Sequence, residues 1–191
     1  MASADHMPVI KSTLEGLAKH KGNGKGYFIH TSGTGILADF SPLGPGYATQ
    51  KMYSDVSDIR TITSLPMTAV HRDLDDAVIS GGLALGVPTA IISPPTIHGI
   101  GKGPLKKRSL QIPWLTEAIL KRGKGFTVQK GENWWDCVHI NDLADAYVLL
   151  TEEALKEGGG KAAWGADGYY FAENGEYVSS HALHQVPRSF C

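Results

Sequence analysis

The chain has 191 residues, 42% hydrophobic and 19% charged, which is enough to bury the core of one domain with a small annex. Its formal net charge of -1 excludes the strongly basic surface that nucleic acids or acidic membranes attract. Two cysteines are too few for a disulfide framework, and no apolar run approaches the ~20 residues of a membrane span. With no secretory pattern at the N-terminus, we expect a cytoplasmic α/β protein.

A helix and then a buried strand are predicted at the start of the chain. Residues 5–21 place apolar side chains at helical spacing, with Asp5 as the expected N-cap and glycines at positions 22 and 24 as the end. The apolar run from Tyr27 to Thr31 predicts a parallel strand. This strand ends in Ser32-Gly33-Thr34-Gly35, which allows two interpretations.

The first interpretation of this strand end is a dinucleotide phosphate loop, Gly33-x-Gly35-x-x-Ala38. Such a loop needs a helix that begins at its second or third glycine, and the prolines at 42 and 45 follow too soon. The second interpretation is that Ser32 and Thr34 present hydroxyl groups to a substrate, since sites in open parallel sheets lie at the strand ends. We prefer the second.

The next segment repeats the alternation of helix and strand. Residues 38–66 form a long loop rich in proline and glycine that contains Tyr47-x-x-x-Lys51. A helical pattern over 70–85 carries His71, and residues 89–92 form the next predicted strand. That strand leads into Ser93-Pro94-Pro95-Thr96. The order predicts a parallel sheet covered by helices.

The strands predicted in the second half of the chain are short. A basic loop over 99–108 precedes an amphipathic helix over 109–122, and short strands are predicted over 126–128 and 134–140 around a turn at 130–133. Asn141 and Asp142 are expected to cap a helix over 143–156, and residues 169–172 form a last strand.

Five segments carry a family resemblance. They are His30-Thr31-Ser32-Gly33-Thr34-Gly35, His71-Arg72 with Asp75, Pro94 to Gly99, Val138 to Tyr147, and Tyr169 to Glu176. Together they resemble the extended and atypical short-chain dehydrogenase/reductase superfamily, in particular its fungal branch of nucleoside-diphosphate-sugar-epimerase-like, NAD(P)-binding proteins. The resemblance implies a Rossmann-like, doubly wound parallel sheet, with a partial Rossmann-like domain over 1–99 and a small α+β substrate-side lobe over 100–191. The family's opening strand and glycine loop have no counterpart here, so we expect a sheet that lacks its N-terminal strands, with edges that favour a homo-oligomer.

The resemblance also implies a function. It implies an NAD(P)-dependent oxidoreductase or epimerase-like enzyme that acts on a small carbonyl or alcohol, with NAD or NADP as the cofactor. Ser32 and Thr34 would then lie at the substrate oxygen. The residues that follow the second strand would lie at the cofactor: Pro94, Pro95, Thr96 and His98.

Two pairs compete for proton transfer. In the family a tyrosine passes the proton and a lysine one helical turn later lowers its pKa, because a phenol otherwise titrates near ~10. Tyr47 and Lys51 supply the residue types, but their spacing arises readily by chance. His71 and Asp75 lie where the family's pair lies, at the start of the helix before the second strand. We favour His71 slightly.

A second class of function stays open. The departure from the family's tyrosine and lysine also fits a non-catalytic NAD(P)-binding regulatory protein, or a truncated and inactive family member. His181 and His184 have helical spacing for a metal but no third ligand in the pattern, so no metal site is expected.

Overall fold

The computed structural model describes residues 5–20, 26–40, 46–47, 49, 51–174 and 177–179. The chain divides into two compact units, each built from separate segments. Unit 1 comprises Met1–Ala38, Tyr53–Pro94 and Asp145–Ala172, and unit 2 comprises Asp39–Met52, Pro95–Ala144 and Glu173–Cys191. The expected roles of a cofactor domain over 1–99 and a substrate lobe over 100–191 stay a prediction.

Unit 1 contains a parallel three-stranded sheet. Its strands are β1 (Phe28–Thr31), β2 (Thr89–Ser93) and β5 (Tyr169–Phe171), in the order β1-β2-β5. Ile29 pairs with Ala90, and Ile91 pairs with Tyr169. Every residue of β2 is buried, as expected for a central parallel strand with both faces covered. The α/β prediction is confirmed.

Helices α1 (Met7–Ala18), α2 (Ile59–Thr63) and α3 (Arg72–Leu85) supply the rest of the core of unit 1. α1 and α3 pack together, and Gly86 ends α3 in the left-handed conformation that glycine adopts without strain. The core cluster consists of apolar side chains from these helices and from the sheet: Ile10, Leu14, Ile62, Leu74, Val78, Val87, Ile91 and Tyr169.

Unit 2 contains a mixed sheet. β3 (Thr96–His98) pairs in parallel with β4 (Trp134–His139), and β4 pairs in antiparallel fashion with β6 (Tyr177–Ser179). Helix α4 (Gln111–Arg122) contacts β3 and ends at Gly123. Helix α5 (Ile140–Ala154) begins directly after β4, and its residues from Asp145 onward belong to unit 1. None of the helices in the described ranges has the length and apolar character needed to cross a bilayer.

Several local predictions were wrong. His6, not Asp5, caps α1, because its Nδ1 accepts the backbone N–H of Val9 at 3.2 Å. Residues 126–128 form no strand, and β4 pairs with β3 and β6 instead of with that segment. Asn141 and Asp142 lie inside the first turn of α5, because the helix begins at Ile140.

Candidate active site

The candidate site lies in unit 1, where β1 and β2 end. The backbone N–H of Ser32 donates to the carbonyl of Ile92 at 2.8 Å, and that of Thr34 donates to the carbonyl of Pro94 at 3.1 Å. These bonds continue the parallel pairing past the end of β1 and fix the loop that carries both hydroxyl groups. Residues Thr34–Leu37 form only a short 3₁₀ helix, so no long helix follows the glycines as a phosphate loop requires.

His71 lies against this loop. A Cβ added to Gly33 would be 3.2 Å from His71 Nε2, and one added to Gly35 would be 3.7 Å from it. Glycine at position 33 therefore allows the imidazole to lie close to the backbone of the strand end. The structure brings together three residues that the sequence singled out: Ser32, Thr34 and His71.

Asp5 holds the other side of the imidazole. His71 Nδ1 and Asp5 Oδ1 are 2.6 Å apart, and the His71 side chain is about one-fifth exposed at 21%. With Nδ1 bound to the carboxylate, Nε2 is the ring atom directed at the Gly33 loop. A histidine oriented by a carboxylate in this way is a common acid/base arrangement.

The backbone of His71 is in an unusual conformation. Its φ of 64° is in the left-handed region, at the N-cap position of α3. A non-glycine residue in this region costs about 1 kcal/mol or more, and such residues are concentrated at functional sites. This conformation favours a functional role for His71 over a role only as the first residue of a helix.

Asp75, the partner proposed for His71, is on the same helix but points into the core. It is fully buried, and its Oδ2 accepts a hydrogen bond from the Tyr169 hydroxyl at 3.0 Å. Burial raises the pKa of Asp75, while Ser32, Tyr169, His71 and Arg72 each lower it. Asp5 is therefore the carboxylate that hydrogen-bonds the imidazole.

A second histidine, His30, lies beneath the site on β1. It is buried, and burial lowers its pKa from 6.5 to about 4, a fall that Asp5 opposes and His71 reinforces. We therefore expect His30 to be neutral at neutral pH. It contributes packing and shape beneath the pair of Asp5 and His71.

A pH experiment tests the state of His30. The unfolded chain takes up a proton near 6.5, and the folded chain does so only near 4. Stability from this residue is thus present above the unfolded pKa and is lost as pH falls toward 4. The loss is at most about 3.5 kcal/mol, since one pKa unit corresponds to about 1.4 kcal/mol.

We expect His30→Gln to flatten this dependence. Urea unfolding of the unmodified chain at about pH 7 and about pH 4.5 should show a fall in the free energy of unfolding that the variant largely lacks. The exposed His20 provides the matched control, because His20→Gln should leave the fall unchanged. Equal pH dependence in the unmodified chain and His30→Gln would contradict this account, because it would mean that folding does not lower the pKa of His30.

The remaining candidates are in unit 2, apart from Pro94. Pro94 and Pro95 are buried, and Thr96 and His98 are half-buried on β3. The His98 ring lies edge-on to the His139 ring, with the ring centroids 5.3 Å apart. The Tyr47 ring lies 5.4 Å from the Nζ of Lys130. Lys51 is exposed, and its assigned role, like that of Tyr47, stays a prediction.

Unit 2 also contains a basic cavity of about 340 Å³. Lys106, Lys107 and Arg108 line it, together with Trp114 and the backbone around Gly99. Among the described residues, no group of three or more His, Cys, Asp or Glu side chains could hold a metal ion. His181 and His184 lie outside the described residues.

Sequence reasoning missed four residues of this region: Asp5 as the partner of His71, His30, Ser93 and Tyr169. Asp5 precedes His71 by 66 positions, and no local pattern connects them. Ser93 could have been found, because it ends β2 as Ser32 follows β1, and the carboxyl ends of parallel strands share one edge.

Comparison with known proteins relates part of this chain to a described family. The family model described as the NAD dependent epimerase/dehydratase family matches residues 70–162. The Oxidase ucsJ of Acremonium sp is 33% identical over 187 residues, an alignment that covers 93% of this chain and 54% of the relative. The chain thus spans about half the length of this curated relative.

Solved structures show the same fold. A double mutant of DesIV, the dTDP-glucose 4,6-dehydratase of Streptomyces venezuelae, matches with a TM-score of 0.60 at 16% identity, over 97% of this chain and 54% of that chain. The nucleoside-diphosphate sugar epimerase of Corynebacterium glutamicum matches with a TM-score of 0.59 at 17% identity, over 92% of this chain and 31% of that chain. The Rossmann-like prediction is confirmed, and so is the resemblance to NAD-dependent epimerase/dehydratase-like proteins, since residues 70–162 match that family's model.

Proposed function

We propose that this chain provides the proton-transfer side of an NAD(P)-dependent oxidoreductase or epimerase-like site for a carbonyl or alcohol substrate. The observation that carries the proposal is the 2.6 Å contact between His71 Nδ1 and Asp5 Oδ1, with Nε2 directed at the Gly33 loop. An imidazole that is polarised by a carboxylate and lies beside two hydroxyl-bearing residues can donate a proton to a substrate oxygen or accept one from it.

The roles follow from what each group can donate. Reduction of a carbonyl places negative charge on its oxygen, and the hydroxyl groups of Ser32 and Thr34 are the donors at the strand end that would stabilise it. His71 Nε2 would then donate the proton that completes the alcohol, and in the oxidation direction it would accept it. Asp5 would keep the imidazole in the tautomer that carries the proton on Nδ1 and would stabilise the imidazolium form.

A nicotinamide cofactor, when bound, supplies or accepts the hydride. The segment Pro94–Thr96, which follows the end of β2, is where we propose the nicotinamide end of the cofactor lies, with His98 further along β3. The burial of Pro94 and Pro95 and the position of the segment at a strand end support this proposal. The described residues contain no strand, glycine turn and long helix in succession, so we assign no residue to the cofactor pyrophosphate.

The relatives of known structure bear on the substrate class. They include enzymes named for sugar nucleotides. We propose a small molecule of this kind, with a carbonyl or alcohol group at the reacting carbon, as the substrate.

The second candidate function is a non-catalytic NAD(P)-binding protein. One observation favours it: Asp75, which the resemblance places where the family has its lysine, is a buried carboxyl group and supplies no positive charge for a nicotinamide ribose. This candidate shares the cofactor with the first but predicts no turnover.

A titration tests the proposal and separates the two candidates. NADH and NADPH fluorescence should change on addition of the purified chain at micromolar to high micromolar concentration, and oxidised NAD should compete. Binding with NADH-dependent reduction of one or more aldehydes or ketones supports the enzyme. Binding without any turnover supports the non-catalytic candidate. No fluorescence change with either nucleotide would overturn both.

A further inference from the structure

Charge is distributed unevenly along this chain. Residues 99–130 contain eight lysines and arginines and one acidic residue, whereas the rest of the chain has 10 basic and 18 acidic residues. The formal net charge of -1, from which we expected no strongly basic surface, is the sum of these two unlike parts. Residues 99–130 all belong to unit 2. The expectation of no strongly basic surface therefore does not hold for this part of unit 2.

The same part of the chain exposes large apolar side chains. Leu105 is 89% exposed and Trp114 is 62% exposed, and every residue of α4 is at least partly exposed. The other exposed apolar residues between positions 100 and 128 are Ile100, Leu110, Ile112, Leu120, Phe126 and Val128. A single exposed apolar residue is ordinary, but eight within 29 residues indicate a surface that binds a partner.

Basic and apolar side chains are intermixed in this segment. Ile100 and Arg108 face each other in an antiparallel bridge. The guanidinium carbon of Arg122 lies 5.9 Å from the centre of the Phe126 ring. Two apolar and three basic residues line the cavity of unit 2: Leu110, Trp114, Lys106, Lys107 and Arg108. The acidic residue of the segment, Glu117, is paired with Lys121 at 2.7 Å. We call residues 100–128 the basic-apolar segment.

This mixture favours one kind of partner. Anionic lipid headgroups attract lysine and arginine, and the boundary beneath them takes up apolar side chains to a depth of about 5–10 Å. A nucleic acid offers phosphates to the cations and bases to Trp114 and Phe126, but it offers nothing to an aliphatic side chain such as Leu105. A second copy of the chain, docked through the same segment, would bring like charges together, which repel.

We propose that the basic-apolar segment binds the surface of membranes that contain anionic lipids. Leu105 and Trp114 enter the headgroup boundary, and Lys107, Arg108 and Lys124 stay at the level of the lipid phosphates. The chain thus lies on the bilayer and does not cross it. Ser32 and His71 are in unit 1, so this membrane contact does not depend on the proton transfer proposed above.

Co-sedimentation of the full chain with lipid vesicles tests this interaction. At about 0.1 M salt we expect binding to phosphatidylcholine vesicles that contain about 30% phosphatidylserine, and little binding to phosphatidylcholine alone. Binding should weaken as the salt concentration rises to about 0.5 M, because salt screens the attraction. Equal binding to neutral and anionic vesicles, or binding to neither, would overturn the proposal.

Two double variants separate this segment from the charge of the whole chain. Lys107→Glu with Arg108→Glu should lower the affinity for anionic vesicles by about ten-fold or more. Lys11→Glu with Lys19→Glu makes the same change of charge at exposed positions in unit 1 and should retain most of the binding. Equal losses in the two variants would mean that binding follows net charge alone, and would overturn the proposal.

A second pair of variants tests the apolar contribution. Leu105→Ser with Trp114→Ser should lower the affinity by about ten-fold or more, because burial of each side chain in the boundary contributes to binding. Leu149→Ser with Leu155→Ser removes apolar side chains that are similarly exposed in unit 1, and this variant should bind like the unmodified chain. Unchanged affinity in the first variant would overturn the proposal. Circular dichroism checks that each variant is folded.

Two further outcomes would assign the segment to another partner. A single-stranded DNA oligonucleotide that binds more tightly than the anionic vesicles, and displaces the chain from them, would overturn the proposal in favour of a nucleic acid. Self-association that is lost in Leu105→Ser with Trp114→Ser would overturn it in favour of a second copy. Vesicle binding without turnover would support the membrane contact while the oxidoreductase proposal fails alone.

Discussion

Replacing His71 with alanine should lower turnover by about 100- to 10,000-fold, the range typical for the loss of a general acid or base. The reason is geometric. His71 Nε2 is directed at the loop that carries Ser32 and Thr34, and the Asp5 carboxylate holds the other ring nitrogen. The imidazole is therefore oriented to exchange a proton at that loop. The measurement is the rate of NADH or NADPH oxidation with the aldehyde or ketone that the unmodified chain reduces.

Two variants control this experiment. Asp5→Asn keeps a hydrogen-bond acceptor for Nδ1 but removes the charge, so we expect a smaller loss than for His71→Ala. His20→Ala removes an exposed histidine at the end of the α1 segment and should leave the rate unchanged. A His71→Ala variant that is folded and fully active would exclude His71 from proton transfer and return attention to Tyr47 and Lys51.

Replacing Ile91 with alanine should lower the free energy of unfolding by about 2–5 kcal/mol. Ile91 lies at the centre of β2, between β1 and β5, and is 1% exposed. Its side chain belongs to the cluster that joins α1 and α3 to the sheet. Truncation removes apolar contacts and leaves a cavity that the flanking strands cannot fill without moving.

The matched control for Ile91 is Leu83, which is on α3 but is 80% exposed. Leu83→Ala should change the free energy of unfolding by no more than about 0.5 kcal/mol, because little apolar surface is lost from the core. Urea unfolding followed by circular dichroism measures both. Similar small losses in the two variants would mean that the sheet of unit 1 is not the core described above.

The elements of unit 1 could be predicted from the sequence because each has a strong local signal. The apolar run before Ser32 and the one before Ser93 are typical of buried parallel strands, and Gly86 marks the end of α3. The strand-end rule then directs attention to Ser32 and Thr34 without any structure. Most of the correct predictions therefore came from the apolar segments and from the residues that end them.

The pairing of Asp5 with His71 could not be predicted in this way. It joins the segment before α1 to the start of α3 across 66 positions, and only the packing of the two helices brings the residues together. The sequence pattern instead suggested Asp5 as a helix cap, a role that His6 takes. Local capping rules are weaker than tertiary contacts at such positions.

The burial of Asp75 also could not be predicted from the sequence. A carboxylate one turn after His71 fits a surface helix start equally well, and the residue that accounts for its burial, Tyr169, comes from a strand 94 positions later. In unit 2, the predicted strand over 126–128 was wrong, because a segment of three residues carries too little information to outweigh strand pairing elsewhere.

The pH dependence of kcat/KM in His71→Tyr tests the central claim most directly. This variant keeps a proton-transferring side chain at the position where the resemblance implies a tyrosine, but a phenol releases its proton at higher pH than an imidazole does. If His71 transfers the proton, the limb of the profile that reports the acid or base should move toward alkaline pH relative to the unmodified chain. A profile that keeps its position in His71→Tyr would contradict the account.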